Sequence, residues 1–181
     1  MFYGLMDTMT KTTVTFDTEL GRCGVRWSDA GITGVLLPSS GLVGTPIEVA
    51  ASVPPFGREA IEGMRAVMAG EARDLRDIPV DHREVDGFRR AVYEETRRTP
   101  PGTTRSYGEI AKAMGLDRPD GARDVGAALA KNPTPIVVPC HRVVAADGRL
   151  HGFSAPGGLA TKRKMLELEG APGYGQQVLL G

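Results

Sequence analysis

The sequence predicts an α/β protein of the α+β kind. A small N-terminal antiparallel sheet domain covers residues 1–82, and a helical C-terminal domain covers residues 83–181 and carries a helix-turn-helix and a wing. Three observations predict it. Short period-two runs separated by turn residues fill the first part of the chain, the pattern of an antiparallel meander. From Asp86 onward the apolar period lengthens to that of helices bounded by cap and stop residues. Two of those helices are short and joined by a tight polar turn, and an apolar run with a hairpin signal follows them.

The alternating runs are Thr13 to Asp17, Cys23 to Trp27 and Ile32 to Leu37, separated by Gly21 and by Asp29-Ala30-Gly31. Residues 38–55, rich in Gly, Pro, Ser and Val without a period, read as a loop. Ala60 to Met68 reads as a helix ending at Gly70, and Leu75 to Pro79 as an edge strand or linker. In "DGFRRAVYEETRRTPPG", Phe88, Val92 and Tyr93 share one helical face, and Pro100-Pro101-Gly102 stops the helix. Ser106 then caps "SYGEIAKAMG", where Glu109 completes a capping box and Gly115 ends the element. After "LDRPDG", "ARDVGAALAKN" forms a second short helix halted at Asn132-Pro133. "PIVVPCHRVVAADGRLHGFSAPGG" predicts a strand and a hairpin turning at Asp147-Gly148, the wing. A final helix spans Leu159 to Glu169, and "APGYGQQVLLG" reads as a loose end.

With 181 residues, 41% of them hydrophobic, the chain can bury one good core or two small ones. No apolar run is long enough to span a bilayer, and "MFYGLMDTMTK" lacks the basic flank and apolar stretch of a secretory signal. We therefore expect a cytoplasmic monomer without membrane association, in which Cys23 and Cys140 stay free thiols. Cys23, Cys140, His82, His141 and His151 form no C-x-x-C or H-x-x-x-H pair, so neither a metal nor another cofactor is expected. Formal net charge is zero, yet residues 1–81 carry 7 Lys+Arg against 11 Asp+Glu, and residues 82–181 carry 15 against 11. The positive excess therefore gathers in the second half, where a solvated face and a phosphate-binding surface explain it equally.

Chemistry concentrates in "IVVPCHRVV", which sets Cys140 beside His141. A thiol is nucleophilic as the thiolate, and a neighbouring base is the usual means of reaching that form. Neighbours in an extended strand face opposite ways, so the pair can share a proton only if the chain turns after Pro139 or a water bridges them. Glu169 on the last helix is a candidate to orient the imidazole. From these residues alone, a cysteine among Val137, Val138, Val143 and Val144 also reads as a buried structural thiol.

The segments "SYGEIA", "ARDVGAALAKNP", "IVVPCHRVV" and "GGLATKRKMLELEG", in that order over roughly residues 86–170, resemble the O6-alkylguanine-DNA alkyltransferases, which repair methylated guanine in DNA. The resemblance implies single-turnover, irreversible transfer of the alkyl group from O6-methylguanine in double-stranded DNA to Cys140, with His141 taking the thiol proton through a water and Glu169 holding that histidine. It further implies that Asn132 braces the turn before the acceptor, that Tyr107 hydrogen-bonds the base, and that Arg123 enters the duplex when the nucleotide is extruded. Ser106, Gly126 and Ala127 would face the DNA, while Leu129, Val143, Phe153 and Ser154 would form the substrate pocket. The chain departs from the more familiar pattern at "GFSAPGG", where Phe153 replaces a tyrosine and Ala155-Pro156 is inserted. Cys23 and His82 are residue types that hold zinc in some relatives, but two ligands cannot close such a site. The competing readings are a lesion-binding protein without transfer, which in this family lacks the cysteine, a helix-turn-helix regulator, and a Cys-His hydrolase.

Overall fold

The computed structural model describes residues 12–175. Strands β1 (Val14–Thr18), β2 (Gly21–Trp27) and β3 (Ile32–Leu36) form the antiparallel meander expected from their alternation, with Phe16 opposite Cys23 and Val25 opposite Val35. A two-residue strand β4 (Thr45–Pro46) pairs parallel to β1, giving the order β3-β2-β1-β4. The span 38–55 is therefore not wholly loop, since it holds β4 and a single 3-10 turn at Ile47–Val49. Helix α1 begins at Pro55, five residues before the expected Ala60, and runs to Met68. Proline suits a first helical position because its missing N–H would have no partner there. It lays Ala60, Ile61, Met64, Val67 and Met68 against the inner face of the sheet.

Residues 75–80 form a linker that turns at residues 76–78, where Ile78 N donates to Leu75 O at 3.1 Å, and that is tied to β3 by a bridge between Ile32 and Val80. The buried Arg97 guanidinium donates to the carbonyls of Leu75, Arg76 and Ile78, so the linker is held by the first helix that follows it. Helices α2 (Gly87–Arg97), α3 (Tyr107–Ala113) and α4 (Gly121–Leu129) pack together around Val92, Tyr93, Ile110, Val125 and Leu129. Between α2 and α3, β5 (Arg105–Ser106) pairs parallel with β6 (Val143–Val144). Helix α5 (Gly158–Leu168) closes the described chain, with Glu169 at its C-cap.

Three expectations need correction. The run 136–142 is not a strand: apart from an isolated bridge between Pro135 and Val138, the pairing begins at Val143 and Val144, and Cys140–Arg142 is a 3-10 turn. The turn at Asp147-Gly148 exists, with Gly148 N donating to Ala145 O at 2.9 Å, but its arms build no ladder, so the wing is a loop. Residues 171–174 are not loose, because Ala171 and Tyr174 are buried with Val144 and Leu166 and the Tyr174 hydroxyl donates to Gly148 O at 2.5 Å. Residues 1–11 and 176–181, where the remaining terminal expectations fall, lie outside the described residues.

Candidate active site

The site is built from the end of α4 outward. Asn132 ends the helical segment and turns its side chain into the following loop, where Nδ2 donates to Val138 O at 2.9 Å and Oδ1 accepts from Thr134 N at 3.0 Å. These bonds clamp a tight loop in which Ile136 takes φ 72°, a left-handed value that costs a β-branched residue on the order of 1–3 kcal/mol. After Pro139 the chain coils into the 3-10 turn, with Arg142 N donating to Pro139 O at 2.9 Å. Cys140 and His141 are thus carried on a turn, the condition that lets sequence neighbours work together.

His141 is fully buried, and its Nε2 lies 2.8 Å from Glu169 Oε1. Arg142 brackets the same carboxylate, with Nε 2.9 Å from Oε2 and an Nη 2.7 Å from Oε1, and its other Nη donates to Thr99 O. Gly102 N donates to Glu169 Oε2 at 3.2 Å. Burial alone would push the Glu169 carboxyl up, but the hydrogen bonds and charges of His141 first and Arg142 next outweigh it and bring it to about 2. Burial pushes the His141 imidazole down against the pull of Glu169, so we assign a neutral ring beside an ionised carboxylate. An ionised Glu169 accepts only, so Nε2 carries the ring hydrogen and Nδ1 is left as an acceptor. Among the described residues, Nδ1 has no hydrogen-bond partner.

Cys140 is 7% exposed and lines a cavity of about 320 Å³. Burial pushes its thiol up, while the Asn132 side chain and the charge of Lys162 draw it down. Lys162 escaped the sequence reading. Within "TKRK" it reads as solvated, yet it is 1% exposed and donates to Val143 O at 2.6 Å and to the Tyr107 hydroxyl at 3.2 Å. Burial lowers its ammonium to about 8. A spacing signal was present: Lys162, Met165, Leu166 and Glu169 recur at three, four and seven residues, the buried face of α5. Arg142, inside "IVVPCHRVV", was given no role by the sequence either.

The structure gathers Cys140, Asn132, Tyr107, Leu129, Phe153, Ser154 and Lys162 around that one cavity. Val143 sits behind it, its carbonyl taken by Lys162 with one lone pair to spare. A shallower cleft continues outward past Tyr107, Gly126 and Phe153 to Arg123. Arg123 and Ala127 are exposed on the outer face of α4, where Arg123 pairs with Asp120 at 2.8 Å. Gly126 faces the Tyr107 ring, and a Cβ there would stand 3.7 Å from it. Ser106 does not point free, since its hydroxyl accepts from Glu109 N at 3.1 Å in the expected capping box. Cys23 lies on the core face of β2 and His82 against Thr134 and Tyr93.

Residues 87–171 match the family model described as 6-O-methylguanine DNA methyltransferase, DNA binding domain. A methylated-DNA–protein-cysteine methyltransferase of Mycobacterium tuberculosis is 44% identical over 110 residues, which span 61% of this chain and 63% of that relative's length. One from Methanothermobacter thermautotrophicus is 32% identical over 154 residues, 84% of this chain and 82% of the relative. A DNA base-flipping protein of Thermus thermophilus is 43% identical over 110 residues, 61% and 71% of the two chains. A crystal structure of Mycobacterium tuberculosis OGT in complex with DNA superposes with TM-score 0.70 at 35% identity, covering 90% of this chain and 96% of that one.

Proposed function

This chain belongs to the O6-methylguanine DNA methyltransferase family, and on that premise we propose that it repairs double-stranded DNA by moving the alkyl group of O6-methylguanine irreversibly onto Cys140, once per molecule. The observation that carries this reading is a cavity-lining cysteine on a turn whose next residue is a neutral histidine held by an ionised glutamate. We read residues 1–82 as a supporting sheet domain and 83–181 as the domain that contacts DNA, acting as a monomer.

In this reading the target nucleotide leaves the helix, at a cost of a few kcal/mol in stacking and pairing, and enters past Arg123 and Gly126. Arg123 fills the vacated stack, partly offsetting the cost. Deep in the cavity, His141 Nδ1 takes the Cys140 proton through a water, and the charge formed on the imidazole is balanced by Glu169. Arg142 keeps Glu169 ionised but shares it, so the relay is anchored at both ends. The sulfur attacks the methyl carbon as the C–O6 bond breaks, and the electron pair passes to guanine. Lys162 holds a lone pair of the Tyr107 hydroxyl, leaving its O–H free to turn from His151 O to a ring nitrogen of the departing base. The thioether product has no neighbour able to hydrolyse it.

Incubating the protein with duplex bearing one O6-methylguanine and mapping peptide masses tests this. One added methyl on the Cys140 peptide, stoichiometric with repaired base, is expected. Complete repair with that peptide unmodified rules the reading out, and binding without any repair gives instead the alternative of a lesion-binding protein without transfer.

A further inference from the structure

His82 stands just past the linker, held from two sides. Its backbone neighbour is pinned to the sheet, with Asp81 N donating to Ile32 O at 2.8 Å, and its ring meets Tyr93 of α2 edge to face, 5.3 Å between centroids. It is buried, and burial holds the imidazole below its ordinary pKa against the pull of Glu94 and Asp81, so the ring is neutral and carries one N–H. Its Nε2 lies 3.1 Å from the hydroxyl of Thr134, a fully buried residue 52 positions away in the chain.

The direction of that bond follows from its neighbours. Val138 O accepts, so the Asn132 atom 2.9 Å from it is the amide nitrogen, and the amide oxygen faces Thr134. That oxygen takes Thr134 N at 3.0 Å, and the Thr134 hydroxyl, 3.4 Å away, can join it as a donor but not as an acceptor. With its hydrogen so placed, the hydroxyl meets His82 with a lone pair, and Nε2 carries the ring hydrogen. The donors therefore run one way, from His82 to Thr134 to Asn132 to Val138 O. The same Val138 carbonyl accepts Cys140 N at 2.8 Å, and Thr134 O accepts Val138 N at 2.8 Å.

We propose that His82 is a positioning residue for the acceptor: by donating to Thr134 it orients the Asn132 amide, and so fixes the carbonyl from which Cys140 hangs. The inference rests on the alkyl-transfer reading above. Displacement at carbon needs the sulfur in line with the breaking C–O6 bond, and errors of about an ångström in such alignment cost orders of magnitude in rate. His82 thereby ties the sulfur's place to the N-terminal sheet.

The test compares His82→Phe, His82→Gln, Thr134→Val and the double variant His82→Phe/Thr134→Val. The first keeps a ring beside Tyr93 and loses the donor; the second loses the ring and can set an N–H near the place of Nε2. Single-turnover methyl transfer at saturating duplex, duplex affinity and urea stability are measured for each. His82→Phe and Thr134→Val are each expected to slow transfer by about tenfold or more at unchanged duplex affinity. His82→Gln should recover most of the parent rate, and the double variant should be no slower than Thr134→Val, because the two residues act through one bond. Transfer as slow in His82→Gln as in His82→Phe, additive losses in the double variant, or parental rates in both His82→Phe and Thr134→Val each overturn the assignment. Should the His82 variants fail to fold, Thr134→Val decides alone, since it exchanges the hydroxyl for a methyl of similar size, and a parental rate there overturns the relay. No Cys140 adduct with the parent overturns the alkyl-transfer reading itself.

Discussion

Glu169 serves both a neutral imidazole, His141, and a cation, Arg142, and that double duty makes its effects separable. Its folded pKa lies below the ordinary 4.5, at about 2, so the stability it contributes is complete above pH 4.5 and is lost as pH falls through 2. The shift corresponds to about 3 kcal/mol. Urea midpoints of the parent should therefore drop steeply between pH 4.5 and 2.5, and those of Glu169→Gln should be lower at pH 7 but flatter over that interval; parallel profiles would remove the carboxylate from this role. Lys162 behaves the other way. Its ammonium is held below 10.5, at about 8, so charging it costs stability below pH 8, and the cost is relieved as pH rises from 8 toward 10.5. Lys162→Met exchanges that cost for an unpaired Val143 carbonyl, worth roughly 1–3 kcal/mol, so stability at pH 7 should change by no more than about 1 kcal/mol. Methyl transfer should nevertheless slow by about tenfold or more, because the Tyr107 hydroxyl loses the donor that aims it. A loss of stability without a loss of rate would make the lysine merely structural.

The elements that local chemistry dictates were legible in the sequence. The capping box of α3 follows from Ser106 and Glu109 alone, and Ser106→Ala should cost about 1 kcal/mol in urea unfolding. The meander followed from period two, and α5 was placed within one residue at each end. What failed was decided by distant partners. "IVVP" has every local mark of a strand, yet it is buried on all sides, and its carbonyl at Val138 is claimed by Asn132 rather than by a ladder. Lys162 was passed over because "TKRK" alone is uniformly charged, and only its spacing from Met165, Leu166 and Glu169 tells that α5 turns this position toward the cavity. Helix α4 was legible as a helix, and its two faces divide its roles. Val125, Ala128 and Leu129 face the core, whereas Arg123 and Ala127 face outward. Arg123→Ala should thus leave folding intact and weaken repair in duplex far more than transfer from the free modified base, since only duplex requires extrusion. Equal losses on the two substrates would exclude an extrusion role.

At the scale of the whole molecule, the boundary near residue 82 divides the sequence more sharply than it divides the core. Ile136, Val137 and Met165 come from the second half but are buried in the cluster beneath the N-terminal sheet, and Phe153 packs against both clusters. Arg97 on α2 fastens the linker, and Pro133 carries a hydrogen bond from β3. The acceptor turn is therefore suspended between two cores, and loosening either one displaces Cys140. Such sharing makes unfolding a single cooperative event. The chain supplies its own two probes: its one tryptophan, Trp27, lies on β2, whereas four of its five described α-helices lie within residues 87–168. Tryptophan fluorescence and far-ultraviolet circular dichroism should report coincident urea transitions. Met165→Ala removes a fully buried side chain from the shared cluster and should lower both by the same amount, about 2–5 kcal/mol. Were the fluorescence transition to separate from the helical one, the sheet would be an independent unit, and the acceptor turn would owe its geometry to the helical half alone.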